Sequence, residues 1–87
     1  MLIMYAIRWE KKAFKQLLAL QHEHRKNITD ATAALKNWPE CAGVKRLAQH
    51  QYQYRLRVGR YRVLFDVAAD VKIISIEEVK KRDERTY

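Results

Sequence analysis

YRLRVGRYRVLFDV, running from Tyr54 to Val67, is the stretch that decides the fold. Tyr54, Leu56 and Val58 alternate with Arg55 and Arg57. After Gly59, the residues Tyr61, Val63, Phe65 and Val67 alternate with Arg60, Arg62, Leu64 and Asp66. A period of two on both sides of a glycine predicts two antiparallel strands joined by a tight turn, with one apolar face. Keeping the apolar residues of both strands on one face fixes the pairing parity. The expected register sets Tyr54 against Val63 and Leu56 against Tyr61, with the turn centred on Val58-Gly59. The other face then carries Arg57 opposite Arg60 and Arg55 opposite Arg62.

Outward from this hairpin, a third run from Lys72 to Val79 is rich in isoleucine and valine. The short link Ala68-Ala69-Asp70-Val71 suits a second hairpin. Towards the N-terminus, Leu2 to Trp9 alternates with Ile3, Tyr5, Ile7 and Trp9 on one side, which is again a strand pattern. Between them the period changes to that of a helix. Ala13, Phe14, Leu17 and Leu18 form one apolar stripe, and Ile28, Ala31, Leu35 and Trp38 form another on a helix from about His22 to Asn37. Pro39 ends it, because the residue before a proline avoids helical dihedrals. The segment from Glu40 to about Leu47 reads as a loop. The order β-α-α-β-β-β predicts an α+β domain spanning residues 1–87, with the helices, paired as a hairpin, packed on one sheet face.

Eighty-seven residues suffice for one small domain. The lone Cys41 permits no internal disulfide, which fits a reducing compartment. The N-terminus lacks the pattern of a signal peptide, and no apolar run approaches the ~20 residues of a membrane helix. A cytoplasmic protein with no membrane association and no metal or cofactor is expected. The formal net charge is +8, from 18 Lys+Arg against 10 Asp+Glu. That charge alone fits a generic basic surface, a nucleic acid or an acidic protein partner.

The distribution of charge says more. From Lys45 to Arg62 there are six cations, Lys45, Arg46, Arg55, Arg57, Arg60 and Arg62, and no carboxylate. Like charges opposed across a hairpin cost about 0.2–1 kcal/mol per pair, so this arrangement does not serve stability. Arginine forks match phosphate geometry, which points to a polyanion. Tyr52 and Tyr54 fall by alternation on the apolar face and are expected in the core. The segment from Glu77 to Tyr87 is densely charged, and on charge alone it reads as a solvated end.

With these residues in view, YRLRVGRYRVLFDV followed by VKIISIEEVKKRDERTY resembles the RelE/ParE toxin superfamily of toxin–antitoxin systems. The resemblance rests on the Arg-x-Arg, turn, Tyr-Arg-hydrophobic hairpin, on a late Arg82 followed by a near-terminal Tyr87, and on the element order along essentially the whole chain. It implies an α+β fold in which a twisted antiparallel sheet carries the helical hairpin on one face. For RelE-like members it also implies cleavage of mRNA in the ribosomal decoding site, by attack of a ribose 2′-hydroxyl on the adjacent phosphate, with 16S rRNA as a contact. A small, acidic cognate antitoxin is the implied protein partner. ParE-like members share the fold but poison DNA gyrase, and a basic RNA-binding module without catalysis is the other alternative.

Carried over by position, Arg62 stabilises transition-state charge, and Arg82 acts as acid or second phosphate clamp. Tyr87 orients or stacks on a base, and Arg55 is a basic position on the preceding strand. Arg57 and Arg60 hold backbone phosphate, and Lys45, Arg46, Lys80 and Lys81 extend contact to RNA. Lys81 could stand in for Arg82. RelE carries lysines on the strand before the turn, where this chain has Gln53 and Arg55. Arginine stays charged at ordinary pH, so no general base is evident. His22, His24 and His50 give no match to relatives that use a Glu–His pair.

Overall fold

The computed structural model describes residues 4–82. In chain order the elements are β1 (Ala6–Trp9), α1 (Lys11–Leu18), α2 (His22–Ala33), a 3₁₀ turn (Ala34–Asn37), β2 (Val44–Arg46), β3 (Tyr54–Val58), β4 (Tyr61–Ala68) and β5 (Ile73–Lys81). The strands form one five-stranded sheet in the order β1-β5-β4-β3-β2. The α+β class and the helical hairpin agree with the sequence pattern. The sheet itself is mixed. β2 to β5 pair antiparallel, whereas β1 runs parallel to β5, with Ala6 beside Ile73 and Trp9 beside Ile76. A parallel neighbour is reached because the two helices carry the chain across the sheet between β1 and β2. The segment expected to be a loop contains the short edge strand β2, three residues being too few to show a period.

The core lies between the sheet and the helices. Phe65, Val63, Ile74 and Ile76 from the sheet meet Ala13, Ile28 and Leu35 from the helices, all fully buried. Trp38 is set edge-on to both Tyr54 and Phe65, at 4.7 and 5.6 Å between ring centroids. The α2 stripe is therefore as expected. In α1 only Ala13 and Leu17 are buried, while Phe14 and Leu18 are about half exposed. Tyr52 corrects its expectation as well. It precedes β3 in a bend, and it lies outside the apolar cluster that Tyr54 joins.

The hairpin register is displaced by two residues from the expected one. Val58 pairs with Tyr61, Arg57 with Arg62, Leu56 with Val63, Arg55 with Leu64 and Tyr54 with Phe65. The turn is Gly59-Arg60, and Gly59 alone in it has positive φ, +57°, as the first central residue of a II′-type turn requires. The physical reason is the closing pair. Val58 and Tyr61 are apolar and pack on the core, which leaves Arg60 in solvent. A shift of two preserves the parity, so the face carrying each residue is unchanged. What changes is the pairing: Arg57 opposes Arg62, and Arg60 opposes nothing in the sheet.

β5 is irregular. Leu64 pairs with Glu78 and Phe65 with Ile76, so Glu77 is an extra residue in a β-bulge. β5 runs to Lys81, two residues past the expected end at Val79, so Lys80 and Lys81, read on charge alone as part of a solvated end, are strand. Tyr87 lies outside the described residues.

Candidate nucleic-acid interface

Two rows of side chains cross the open face of the sheet, away from the helices. The row nearer the turn is Arg57, Arg62 and Lys80, on β3, β4 and β5. The next is Lys45, Arg55, Leu64 and Glu78, on β2 to β5. Neighbouring strands lie about 4.8 Å apart and same-face residues about 6.8 Å apart along a strand. Five cations, Lys45, Arg55, Arg57, Arg62 and Lys80, thus occupy one small patch. Among these cations stands Leu64, which is buried although it belongs to no part of the core cluster.

The members differ in exposure. Arg57 and Lys80 are exposed, and Arg62 and Arg55 are half-buried. Arg55 Nε is buried and has no hydrogen-bond partner among the described residues. A buried donor without an acceptor is costly, and an anion on this face would satisfy it. The backbone around Arg57 is pinned, since its N–H donates to Gly43 O at 3.0 Å.

Other sequence candidates fall elsewhere. Arg60 stands in the turn, where its carbonyl accepts the Arg82 N–H at 2.6 Å and ties the end of β5 to the hairpin tip. Arg46 opposes Tyr54 and Lys81 opposes Tyr61, which puts both on the helix side of the sheet by alternation. The structure thus gathers five of the cations and sets Arg46, Arg60 and Lys81 at the periphery. His50 lies outside the patch, in an exposed bend where its Nδ1 accepts the Tyr52 N–H at 3.1 Å.

Sequence reasoning missed two residues of this face, Glu77 and Glu78. Glu78 Oε2 accepts from Lys12 Nζ of α1 at 2.6 Å, and its Oε1 lies 3.8 Å from Lys80 Nζ. The Glu78 carboxylate, through its hydrogen bond and its charge, raises the Lys12 pKa. Burial, then the negative charges of Glu10 and Asp66, push the Glu77 carboxyl up from its ordinary value, with Arg8 opposing them. A signal for this was present in the sequence. Ile74 and Ile76 keep a period of two, but the next core residue is Val79, one step out of phase. Such a break inside a strand marks a bulge.

Among the described residues no group of three or more His, Cys, Asp or Glu side chains is placed to hold a metal ion, and no helix is long and apolar enough to cross a membrane. Burial raises the pKa of the Cys41 thiol.

Comparison with known proteins agrees with this architecture. Residues 7–86 match the family model for the ParE toxin of type II toxin–antitoxin systems. RelE1 of Methanocaldococcus jannaschii is 32% identical over 76 residues, covering 84% of each chain. The crystal structure of the archaeal RelE–RelB complex from Pyrococcus horikoshii OT3 contains a similar chain. Its TM-score is 0.78 at 28% identity, over 93% of this chain and 98% of that one. The isolated RelE toxin of E. coli shares the fold, with a TM-score of 0.79 at 15% identity, over 94% and 88% of the two chains.

Proposed function

Because the chain belongs to the RelE/ParE superfamily of type II toxins, we propose that it is an endoribonuclease that cuts mRNA on the ribosome and so inhibits translation. The observation that carries this reading is the row Arg57–Arg62–Lys80 beside Arg55, whose buried Nε has no partner among the described residues. Three cations on adjacent strands are matched to a phosphodiester, and their mutual repulsion falls when one binds.

The reaction is a transfer within the RNA. The ribose 2′-oxygen bonds to the adjacent phosphorus, the bond to the 5′-oxygen breaks, and a 2′,3′-cyclic phosphate and a 5′-hydroxyl remain. Negative charge grows on the equatorial oxygens during attack, and fixed cations stabilise it more than the ground state. Arg62, central in the row and half-buried, takes that role. Arg55 and Arg57 flank it and hold backbone phosphate, with Lys45 and Lys80 at the two sides. Arg82, bound through its backbone to the hairpin tip, is the acid for the leaving oxygen or a second clamp. Tyr87 would orient a base. Arg46, Arg60 and Lys81, at the rim, would meet ribosomal RNA, the 16S decoding site among it. The chain then acts as one toxin domain over residues 1–87 in the cytoplasm, where ribosomes are.

The partner follows from the same charge. The P. horikoshii structure is a RelE–RelB complex. A small acidic antitoxin laid on the +8 surface would neutralise it and speed the encounter.

The match to the ParE toxin model supports a second reading, DNA gyrase poisoning without RNA cleavage. Induction of the protein separates the two. Mapping mRNA ends in translating cells should show cuts inside reading frames, lost in Arg62→Ala and weakened in Arg82→Ala. Double-strand DNA breaks with intact mRNA would establish the gyrase reading. Cuts that persist in both variants would overturn the assignment of these residues.

A further inference from the structure

The cationic face holds phosphate well but offers no arginine that could accept a proton. The β5 bulge changes that. Ile76 and Val79 are both buried in the core, so the two residues between them, Glu77 and Glu78, both project from the open face. A regular strand would have sent one of them into the core side. The sheet therefore places two consecutive carboxylates on the face that carries the cations. Glu78 is in the row of Arg55 and Leu64 and lies one row from Arg62 and Lys80.

We propose that this bulge supplies the proton acceptor of the reaction, Glu77 taking the proton of the attacking 2′-hydroxyl while Glu78 holds the ammonium groups of Lys12 and Lys80. This rests on the endoribonuclease reading above. The 2′-oxygen loses its proton to the Glu77 carboxylate as its electron pair forms the bond to phosphorus. The 5′-oxygen leaves with the electrons of the P–O bond and takes a proton from Arg82. Exchange with water then restores both groups.

The two carboxylates are not equivalent. Glu78 is mostly buried, its side chain 13% exposed, and it is held at 2.6 Å by Lys12, so its carboxylate is already engaged. Glu77 is placed differently. Burial first, then the negative charges of Glu10 at the end of β1 and Asp66 of β4, make its proton easier to hold, while Arg8 of β1 opposes them. Arg8 is itself occupied, its Nε donating to Glu10 at 2.8 Å and its Nη2 to Ser75 Oγ at 3.1 Å. Lys12 of α1 and Lys80 of β5 are taken up by Glu78. An acceptor is most effective when its pKa is drawn towards the working pH, and this neighbourhood moves Glu77 in that direction.

The test is the rate of cleavage of a short mRNA on programmed ribosomes, measured with the full-length protein across pH. Glu77→Gln should lose at least about 100-fold in kcat and should lose the rise of rate with pH on the acidic side. Glu10→Gln, which leaves Glu77 in place but removes a negative neighbour and frees Arg8, should move that rise to lower pH. Glu78→Gln should keep it. A Glu77→Gln protein that cuts at the wild-type rate, or that keeps the acidic limb, overturns the inference and leaves the endoribonuclease reading standing. A limb lost in Glu78→Gln but kept in Glu77→Gln overturns it equally. Wild-type protein that cuts no RNA overturns that reading and this inference with it.

Discussion

Arg57 and Arg62 stand directly opposite one another on antiparallel strands, with Lys80 next in line on the far side of Arg62. All three members of the row are cations, and the neighbouring Glu78 approaches Lys80 alone of them, at 3.8 Å. Substituting Arg57 by Gln removes one repulsive pair at an exposed position, so the free protein should gain a few tenths to about 1 kcal/mol. That corresponds to a rise in melting temperature of up to roughly 4–8 °C for a chain of this size. RNA affinity should fall, and the slope of log K against log salt should shrink by about 0.7. Thermal melts and salt titrations of the same variant would show stability and binding moving in opposite directions.

Gly59 offers a clean measure of backbone conformation. Its φ is +57°, and a Cβ built there meets nothing within 4 Å. Gly59→Ala should therefore cost about 1–2 kcal/mol through the left-handed backbone alone. Denaturant unfolding at unchanged m-value is the measurement, and a neutral result would mean that the turn relaxes to another type.

Gln16 closes the sheet edge where β1 ends. Its side-chain oxygen accepts the Val79 N–H at 2.7 Å, a bond no strand provides. Gln16→Ala leaves that part-buried donor without an acceptor and should cost about 1–3 kcal/mol. Amide exchange at Val79 should accelerate, whereas exchange at Val63, on the neighbouring strand, should follow only the global stability.

Glu77 also predicts a pH dependence of stability. Its folded pKa is raised above the usual carboxylate value near 4.5, so the folded state binds its proton more tightly than the unfolded chain does. With more protons on the folded state, the contribution of this group falls as pH rises from about 4.5 through the raised folded value, and the full penalty persists above it. Glu77→Gln should thus be more stable than wild type at neutral pH and should converge with it in acid, as melting curves across that range would record.

The parts legible in the sequence are those fixed by periodicity. Alternation from Tyr54 to Val67 assigns each side chain to its correct face, because parity survives a register shift of two. It cannot choose between turn centres two residues apart; the apolar contact between Val58 and Tyr61 does. For the same reason Arg60 was expected to face Arg57 but lies in the turn. Edge features were less visible. β2 is short, and whether β1 pairs parallel depends on packing among distant elements. Phe14 and Leu18 share the apolar period of α1 yet stay half exposed, since a helix at the rim of a small sheet has room for only a narrow buried stripe. The carboxylates were passed over because a charged tail and a bulged strand share a composition. Only the phase slip between Ile76 and Val79 separates them.

β1 has four residues, and its pairing ends where Trp9 meets Ile76 and the Glu10 N–H reaches the Ile76 carbonyl. The irregular part of β5 begins at the next residue. A strand flanked on both sides must keep step with two neighbours at once, and an inserted residue would throw one of them out of phase. Stopping β1 there and turning the chain into α1 releases β5 from the second constraint. The length of an outer strand thus sets how many acidic side chains the working surface can display. Lengthening β1 by two residues would be an indirect way to erase that acidity without touching a single glutamate.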